Sequence, residues 1–245
     1  MSALLAQARA EITMTLRRGE TLLLTVGIPV AFLAFFSSVH VISTPASSGV
    51  DFFVPGILAL AVMSTAMVSL GIATGFERGY GVLKRLGTTP LGRPRLLGAK
   101  IITIVAVEIV QAIVLVPVGY GLGWHPGGSG SAAAVPAAIG VVLLASMAFA
   151  GLGLFMAGIL RAEANLAAAN GLYLILLLLG GMIVPLGKLP TALADVAKIL
   201  PADALAAGLH AALGSGSAIP GLSWLVLAIW AVAMPTAAAL TFRWE

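Results

Sequence analysis

The stretch IITIVAVEIVQAIVLVPVGYGLG, Ile101 to Gly123, holds one acid and no base. A hydrocarbon core about 30 Å thick needs about 20 predominantly apolar residues in a helix rising 1.5 Å per residue, so this segment is long enough to cross a bilayer. Upstream it meets a loop rich in cations: Arg78, Lys84, Arg85, Arg93, Arg95 and Lys100. Downstream it ends in the polar turn His125–Ser131. The alternation of apolar run and short polar loop then repeats along the chain. Spans are predicted near Leu22–Ile42, Phe53–Phe76, Ala133–Leu160, Leu166–Val184 and Ile219–Phe242, which with Ile101–Gly123 makes about six.

Composition leads to the same solvent. The chain is 60% hydrophobic and 9% charged over 245 residues, with a mean hydropathy of +1.10. Soluble domains carry about 25% charged residues, so this chain cannot clothe a water-facing surface. The net charge of +4 sits in short loops between apolar runs, which reads as membrane orientation and not as a nucleic-acid footprint. There is no cysteine, which excludes disulfides, thiolate metal sites and thiol catalysis. His40, His125 and His210 are scattered near predicted membrane edges and form no metal-ligand spacing.

Basic residues orient the chain. Arg9, Arg17 and Arg18 precede the first span, Arg161 lies between the fourth and fifth, and Arg243 follows the last. With six spans these fall on the same side as the 77–100 loop. Lys188 and Lys198 fall opposite, offset by Asp195 and Asp203. Both termini are therefore expected in the cytoplasm and the protein in the cell membrane. The first apolar run is longer than a signal-peptide core and follows a long leader, so no cleavage is expected near Ser43–Ala46. In that leader, residues 1–20, Leu5, Ala8, Ile12 and Leu16 recur at helical spacing with Met1 and Leu4 on the same arc. Gln7, Glu11, Arg17 and Arg18 lie opposite. The pattern predicts an interfacial amphipathic helix.

Glu108 is the acid well inside a span, roughly 10 Å from Ile101 along the helix axis. An intramembrane carboxyl faces protein or water by default. Gln111 shares its helix face and is a candidate partner. Two readings stay open: a substrate contact or proton relay, and a structural hydrogen-bonding acid. A proton relay would suit an ion-coupled carrier, but such carriers show repeated halves, and no repeat is evident. No nucleotide-binding loop is present. Gly181-Met-Ile-Val-Pro-Leu-Gly-Lys188 has the wrong spacing, with Leu189 where Ser or Thr is required. No hydrolytic constellation is indicated. Gly71-Ile-Ala-Thr-Gly75 and Gly119-Tyr-Gly-Leu-Gly123 match the small-residue packing motif, but 29 glycines make about three such matches expected by chance, so they carry little weight.

Two stretches hold more order than topology needs. The loop Glu77-Arg-Gly-Tyr-Gly-Val-Leu-Lys-Arg-Leu-Gly-Thr-Thr-Pro-Leu-Gly-Arg93 interleaves Leu83, Leu86 and Leu91 with cations, which suits a short helix at the inner surface open to a soluble partner. The segment 185–217 is too punctuated by proline and glycine to cross. Its apolar pieces Leu189–Leu200 and Ala202–Leu213 suit a re-entrant or interfacial hairpin, with Pro190 and Pro201 at the first turns of helices.

These stretches, in this order and on opposite sides, resemble the membrane subunit of type-2 ABC exporters, including permeases of the daunorubicin-exporter kind. The family's loop pattern Glu-Arg…Gly-Thr-Leu-x-x-Leu-x-x-Thr-Pro-Leu-x-Arg…Leu-x-x-Lys is matched by Glu77, Arg78, Gly81, Leu83, Leu86, Thr89, Pro90, Leu91, Arg93, Leu97 and Lys100. Val82 stands where threonine is common. The signature Gly-x-x-x-Pro-Leu-x-x-Leu-Pro is matched by Gly181, Pro185, Leu186, Leu189 and Pro190. Leu200-Pro201-Ala202 replaces an Asn-Pro-Leu-like step and loses its asparagine.

The resemblance implies an all-α membrane protein whose residues 1–245 form a single permease domain. About six transmembrane helices would carry an N-terminal interfacial helix (1–20), a cytoplasmic coupling loop (77–100) and an extracellular re-entrant hairpin (185–217). Glu77, Arg78, Leu83, Lys84, Arg85, Leu86, Pro90, Leu91 and Arg93 would couple to a separate P-loop ATPase subunit holding ATP and Mg. The hairpin residues Gly181, Pro185, Leu186, Leu189, Pro190 and Pro201 would gate the outer side. A second permease copy, or a homologous one, would complete a path for an amphiphilic or lipid-like substrate among membrane lipids. An ion-coupled carrier using Glu108 and a membrane structural or assembly factor are the alternatives.

Overall fold

The computed structural model describes residues 3–17, 19–38, 49–88, 92–126 and 134–242, and every regular element among them is helical. In chain order these are α1 (Ala3–Arg17), α2 (Gly19–Ser38) and α3 (Gly49–Gly79, with a π-helical turn at Ser64–Ser69). Next come the short α4 (Val82–Gly87), α5 (Arg93–Gly121), α6 (Ala134–Ile159) and α7 (Ala162–Leu179). A 3₁₀ turn at Leu186–Lys188 leads to α8 (Thr191–Ala197), α9 (Pro201–Ser215) and α10 (Gly221–Thr241).

Helices α3, α5, α6, α7 and α10 are each long and apolar enough to cross a membrane. In α2 the apolar stretch among the described residues is the shorter Leu23–Ser38, and the predicted end of that span, 39–42, lies outside them. Helices α8 and α9 meet at a bend of 85°, the geometry of a broken span or a re-entrant loop. The chain is an all-α membrane protein.

Boundaries differ from the sequence reading where local chemistry overrides hydropathy. The third span begins at Arg93 instead of Ile101 because Leu96 and Leu97 are buried and Pro94 occupies the first turn, where a missing N–H costs nothing. The fifth ends at Leu179 instead of Val184 because Gly181 adopts a φ of +65°, a conformation that ends a helix. Pro190 caps α8 from just outside it, whereas Pro201 does sit in the first turn of α9.

In lipid, helices are not driven together by the hydrophobic effect, so close backbone approach and interhelical hydrogen bonds must hold the bundle. Helix α6 lies at the centre and shows how. A methyl group added at Gly153 would stand 2.5 Å from the Met67 carbonyl of α3, and one at Gly151 would stand 2.4 Å from Pro235 N of α10. The Gly71/Gly75 pair, given little weight from sequence, does mediate packing. Gly71 lies on Gly153, and Gly75 lies against Asn165 of α7, whose fully buried side chain donates to Gly71 O at 2.8 Å.

Helix α1 packs on α5, with Leu4 seated on Gly98. Its inward stripe is Leu4, Gln7, Ala8, Glu11, Ile12 and Thr15, while Leu5 and Leu16 are exposed. The sequence reading had placed Gln7 and Glu11 on the polar side. The helix is rotated from that expectation because Glu11 turns toward a cation on α5.

Candidate functional site

The cation is Lys100, in the second turn of α5. Its side chain is 3% exposed. Its Nζ donates to Glu77 Oε2 at 2.7 Å and lies 3.6 Å from Glu11 Oε1, and Gln7 Nε2 donates to that same Glu11 oxygen at 2.8 Å. One ammonium therefore fastens α1, the end of α3 and the start of α5. Sequence had matched Lys100 to a loop motif and counted it among the orienting cations. Its second partner, Glu11, lies far away in sequence and left no local signal.

Arg78, beside Glu77, serves the neighbouring helix. Its two terminal nitrogens donate to the carbonyls of Gly158 and Leu160 at the C-terminal end of α6, which satisfies groups that a helix end leaves open. Glu77 and Arg78 together lock the foot of α3 to α5 and α6. Helix α4 starts four residues after Arg78, through Gly81 at a φ of +72°. Leu83 is fully buried in the main core, and Leu86 is half-buried against it. The outward surface is formed by Tyr80, 77% exposed, Val82, 42% exposed, and the exposed Lys84 and Arg85. Arg93 is exposed at the start of α5. Pro90 and Leu91 lie outside the described residues.

At the opposite end, the predicted hairpin residues gather in one corner. Gly181 needs its glycine: φ is positive, and a methyl group there would stand 3.0 Å from Leu186 Cδ1. Pro185 and Pro201 are buried, Leu186 and Leu189 half-buried, and Pro190 exposed. Two anchors went unread in the sequence. His210 places Nε2 3.0 Å from Phe52 O and Nδ1 2.7 Å from Ala206 O, with its ring 4.5 Å from that of Phe52. Trp230 Nε1 donates to Ile199 O at 3.0 Å, tying the hairpin elbow to α10.

Between these ends lies a cavity of about 700 Å³ bounded by α3, α5, α6 and α9, and both Glu108 and Gln111 line it. They do not pair with each other. Gln111 Nε2 donates to Thr25 O at 2.9 Å and to Thr65 Oγ1 at 3.0 Å. Thr65 sits in the π-helical turn of α3, a distortion frequent at functional sites. Glu108, 5% exposed, accepts from Ser146 Oγ on α6 at 2.5 Å through Oε2, while its Oε1 has no hydrogen-bond partner. Ser146 was legible only as one hydroxyl in an apolar run. No group of acids and histidines suited to a metal ion occurs among the described residues.

A bundle with a charge-locked foot, a short outward-facing helix beside it and an apolar cavity at its middle has the parts of a conduit. Comparison with known proteins agrees. The chain is similar to YvfS of Bacillus subtilis (strain 168), named as a transport permease, at 24% identity over 230 residues, covering 89% of this chain and 88% of that protein. The family model described as ABC-2 type transporter matches residues 2–213. With the match running from the leader through the hairpin, the chain belongs to the ABC-2 type transporter family, as a membrane permease component.

Proposed function

We propose that this chain is the permease subunit of an ATP-driven exporter, coupled through α4 to a separate P-loop ATPase that holds ATP and Mg. The observation that carries the reading is the division of labour in α4 and the turn that leads into it. Leu83 and Leu86 grip the bundle, whereas Tyr80, Val82, Lys84 and Arg85 face outward. A short helix rooted in this way transmits a push instead of absorbing it. The push reaches α5 through Glu77 and Lys100, and α6 through Arg78. Those are the helices that flank the cavity.

In this reading the basic end and both termini are cytoplasmic, in keeping with the Lys/Arg asymmetry of the loops. Two permease copies, identical or homologous, enclose the path. The α8–α9 hairpin closes its outer side, and the predominantly apolar cavity suits an amphiphilic or lipid-like cargo. The exposed apolar pair Tyr80 and Val82 fills a cleft on the ATPase, with Lys84 and Arg85 as rim contacts to it or to anionic lipid. Buried apolar anchors carry most interface energy and rim charges little.

Co-expression with a candidate ATPase tests the reading. Tyr80→Ala combined with Val82→Ala should lower co-purified ATPase about tenfold, whereas Lys84→Ala should change it far less, and membrane insertion should survive both. Full ATPase association in the double variant would overturn the assignment of α4. Uptake driven by a proton or sodium gradient with no ATPase bound would replace it with an ion-coupled carrier.

A further inference from the structure

The central cavity has features that the coupling apparatus does not use. Its mouth is formed by exposed apolar residues of two adjacent spans, Ile109 on α5 and Val135 and Ile139 on α6. In the single chain it therefore opens between α5 and α6, on an apolar face. Tyr120 and Trp124 line the end near the close of α5, with ring centroids 5.1 Å apart. Such aromatics belong at headgroup level. Glu108 lies roughly 18 Å further along the helix axis, at 1.5 Å per residue. The cleft thus runs from the close of α5 to the middle of that helix.

At its deep end the chemistry is incomplete. Glu108 is 95% buried by its 5% exposure, and one carboxyl oxygen is held by Ser146 while the other has no partner. Trp124, which lines the shallow end, has an indole N–H that is also unpartnered. Gln111 is committed to Thr25 and Thr65. No Lys or Arg is among the described residues that line it. A carboxyl in an apolar cleft with an open acceptor and no resident cation is complementary to a donor that arrives on a ligand.

We infer that the α5–α6 cleft is a membrane-entered binding site for a hydrophobic amine, a molecule with one protonated nitrogen, an elongated apolar body and no anionic group. The nitrogen donates to Glu108 Oε1 while Ser146 holds Oε2. The apolar body lies along Ile109 and Ile139 toward Tyr120 and Trp124. A zwitterionic aminophospholipid is disfavoured because its phosphate would be drawn into a cleft that has no cation to meet it. The inference deepens the permease reading by naming a cargo class, yet binding is a property of the chain alone.

The test uses the purified full-length chain in phosphatidylcholine nanodiscs without any ATPase. A hexadecylamine carrying a diazirine near the middle of its chain is photolysed beside the matching hexadecanol, and labelled peptides are mapped by mass spectrometry. The amine should label α5 and α6 at least about tenfold more than the alcohol, with competition by unlabelled hexadecylamine. Glu108→Gln should bring amine labelling down to the alcohol level. Should that variant fail to fold, Ile139→Trp, which fills the mouth from an exposed position, should remove labelling of both peptides. Equal labelling by amine and alcohol in the unaltered chain would overturn the proposal and leave a lipid-filled groove. Displacement of the amine by phosphatidylethanolamine, but not by phosphatidylcholine, would overturn it in favour of a lipid headgroup. A chain that binds the amine but no ATPase would sink the coupling reading alone.

Discussion

Two carboxylates of this protein are each placed beside a helix-borne partner, and they are used in opposite ways. At the basic end, Glu77 meets Lys100 at 2.7 Å, with Glu11 beside the same ammonium. In the membrane, Glu108 meets only a serine hydroxyl, and one of its oxygens is left without a partner. The first arrangement is a closed account of charge that joins three elements. The second spends burial without completing it. A buried group that leaves a hydrogen-bonding position open costs stability, a cost that a bound ligand at Glu108 would offset. On the reading proposed above, the contrast separates what holds this permease together from what its cargo would touch.

Substitutions can break that contrast, and the largest effect should come from the basic end. Lys100→Met removes the cation that Glu11 and Glu77 share, and leaving the largely buried Glu11 without it costs about 3 kcal/mol or more. Denaturant titration in micelles should show the loss, and limited proteolysis should cleave α1 first, because Glu11 no longer tethers it. If α1 stays protected, the packing of Leu4 on Gly98 is the true fastener.

A smaller loss is expected for the isosteric change at the same site. Glu77→Gln keeps the shape but removes the charge that Lys100 uses. Glu77 is 35% exposed, so solvent screens the pair and about 1 kcal/mol is the expected cost. Added salt should narrow the gap between this variant and the unaltered chain.

The smallest effect is expected deep in the membrane. Glu108→Gln should change stability by less than about 0.5 kcal/mol, because the amide oxygen still accepts from Ser146 and no second hydrogen bond exists to be lost. The same unfolding titration reads it directly. A loss as large as that of Lys100→Met would make Glu108 a structural acid and erase the distinction between the two regions.

Much of the candidate site was legible in the sequence because it stands out against an apolar background. Glu108 is conspicuous as an acid within Ile101–Gly123, and Glu77, Arg78 and the leucines of α4 repeat with an order that topology alone does not require. Partners were not legible. Gln111 sits one turn from Glu108, and sequence distance made it the natural partner, yet it bonds to Thr25 and Thr65 across the bundle. Ser146 lies 38 residues from Glu108, and Glu77 lies 23 residues from Lys100. Nothing in a linear pattern selects such pairs.

The sequence by itself determined the solvent, the helical class, the approximate spans and the broken helix pair before the last helix. Those depend on hydropathy and on proline and glycine positions, which act locally: twenty apolar residues must satisfy their own backbone in lipid, and a residue held at positive φ ends a helix wherever it stands. Only the tertiary structure decided which face of α1 turns inward, that Leu83 roots α4 while Tyr80 and Val82 face outward, and that Glu108 opens into a cleft between α5 and α6. In a bilayer every apolar helix face is equally content against lipid or protein. The choice between them is made by small residues and a few polar contacts that become neighbours only once the bundle has assembled.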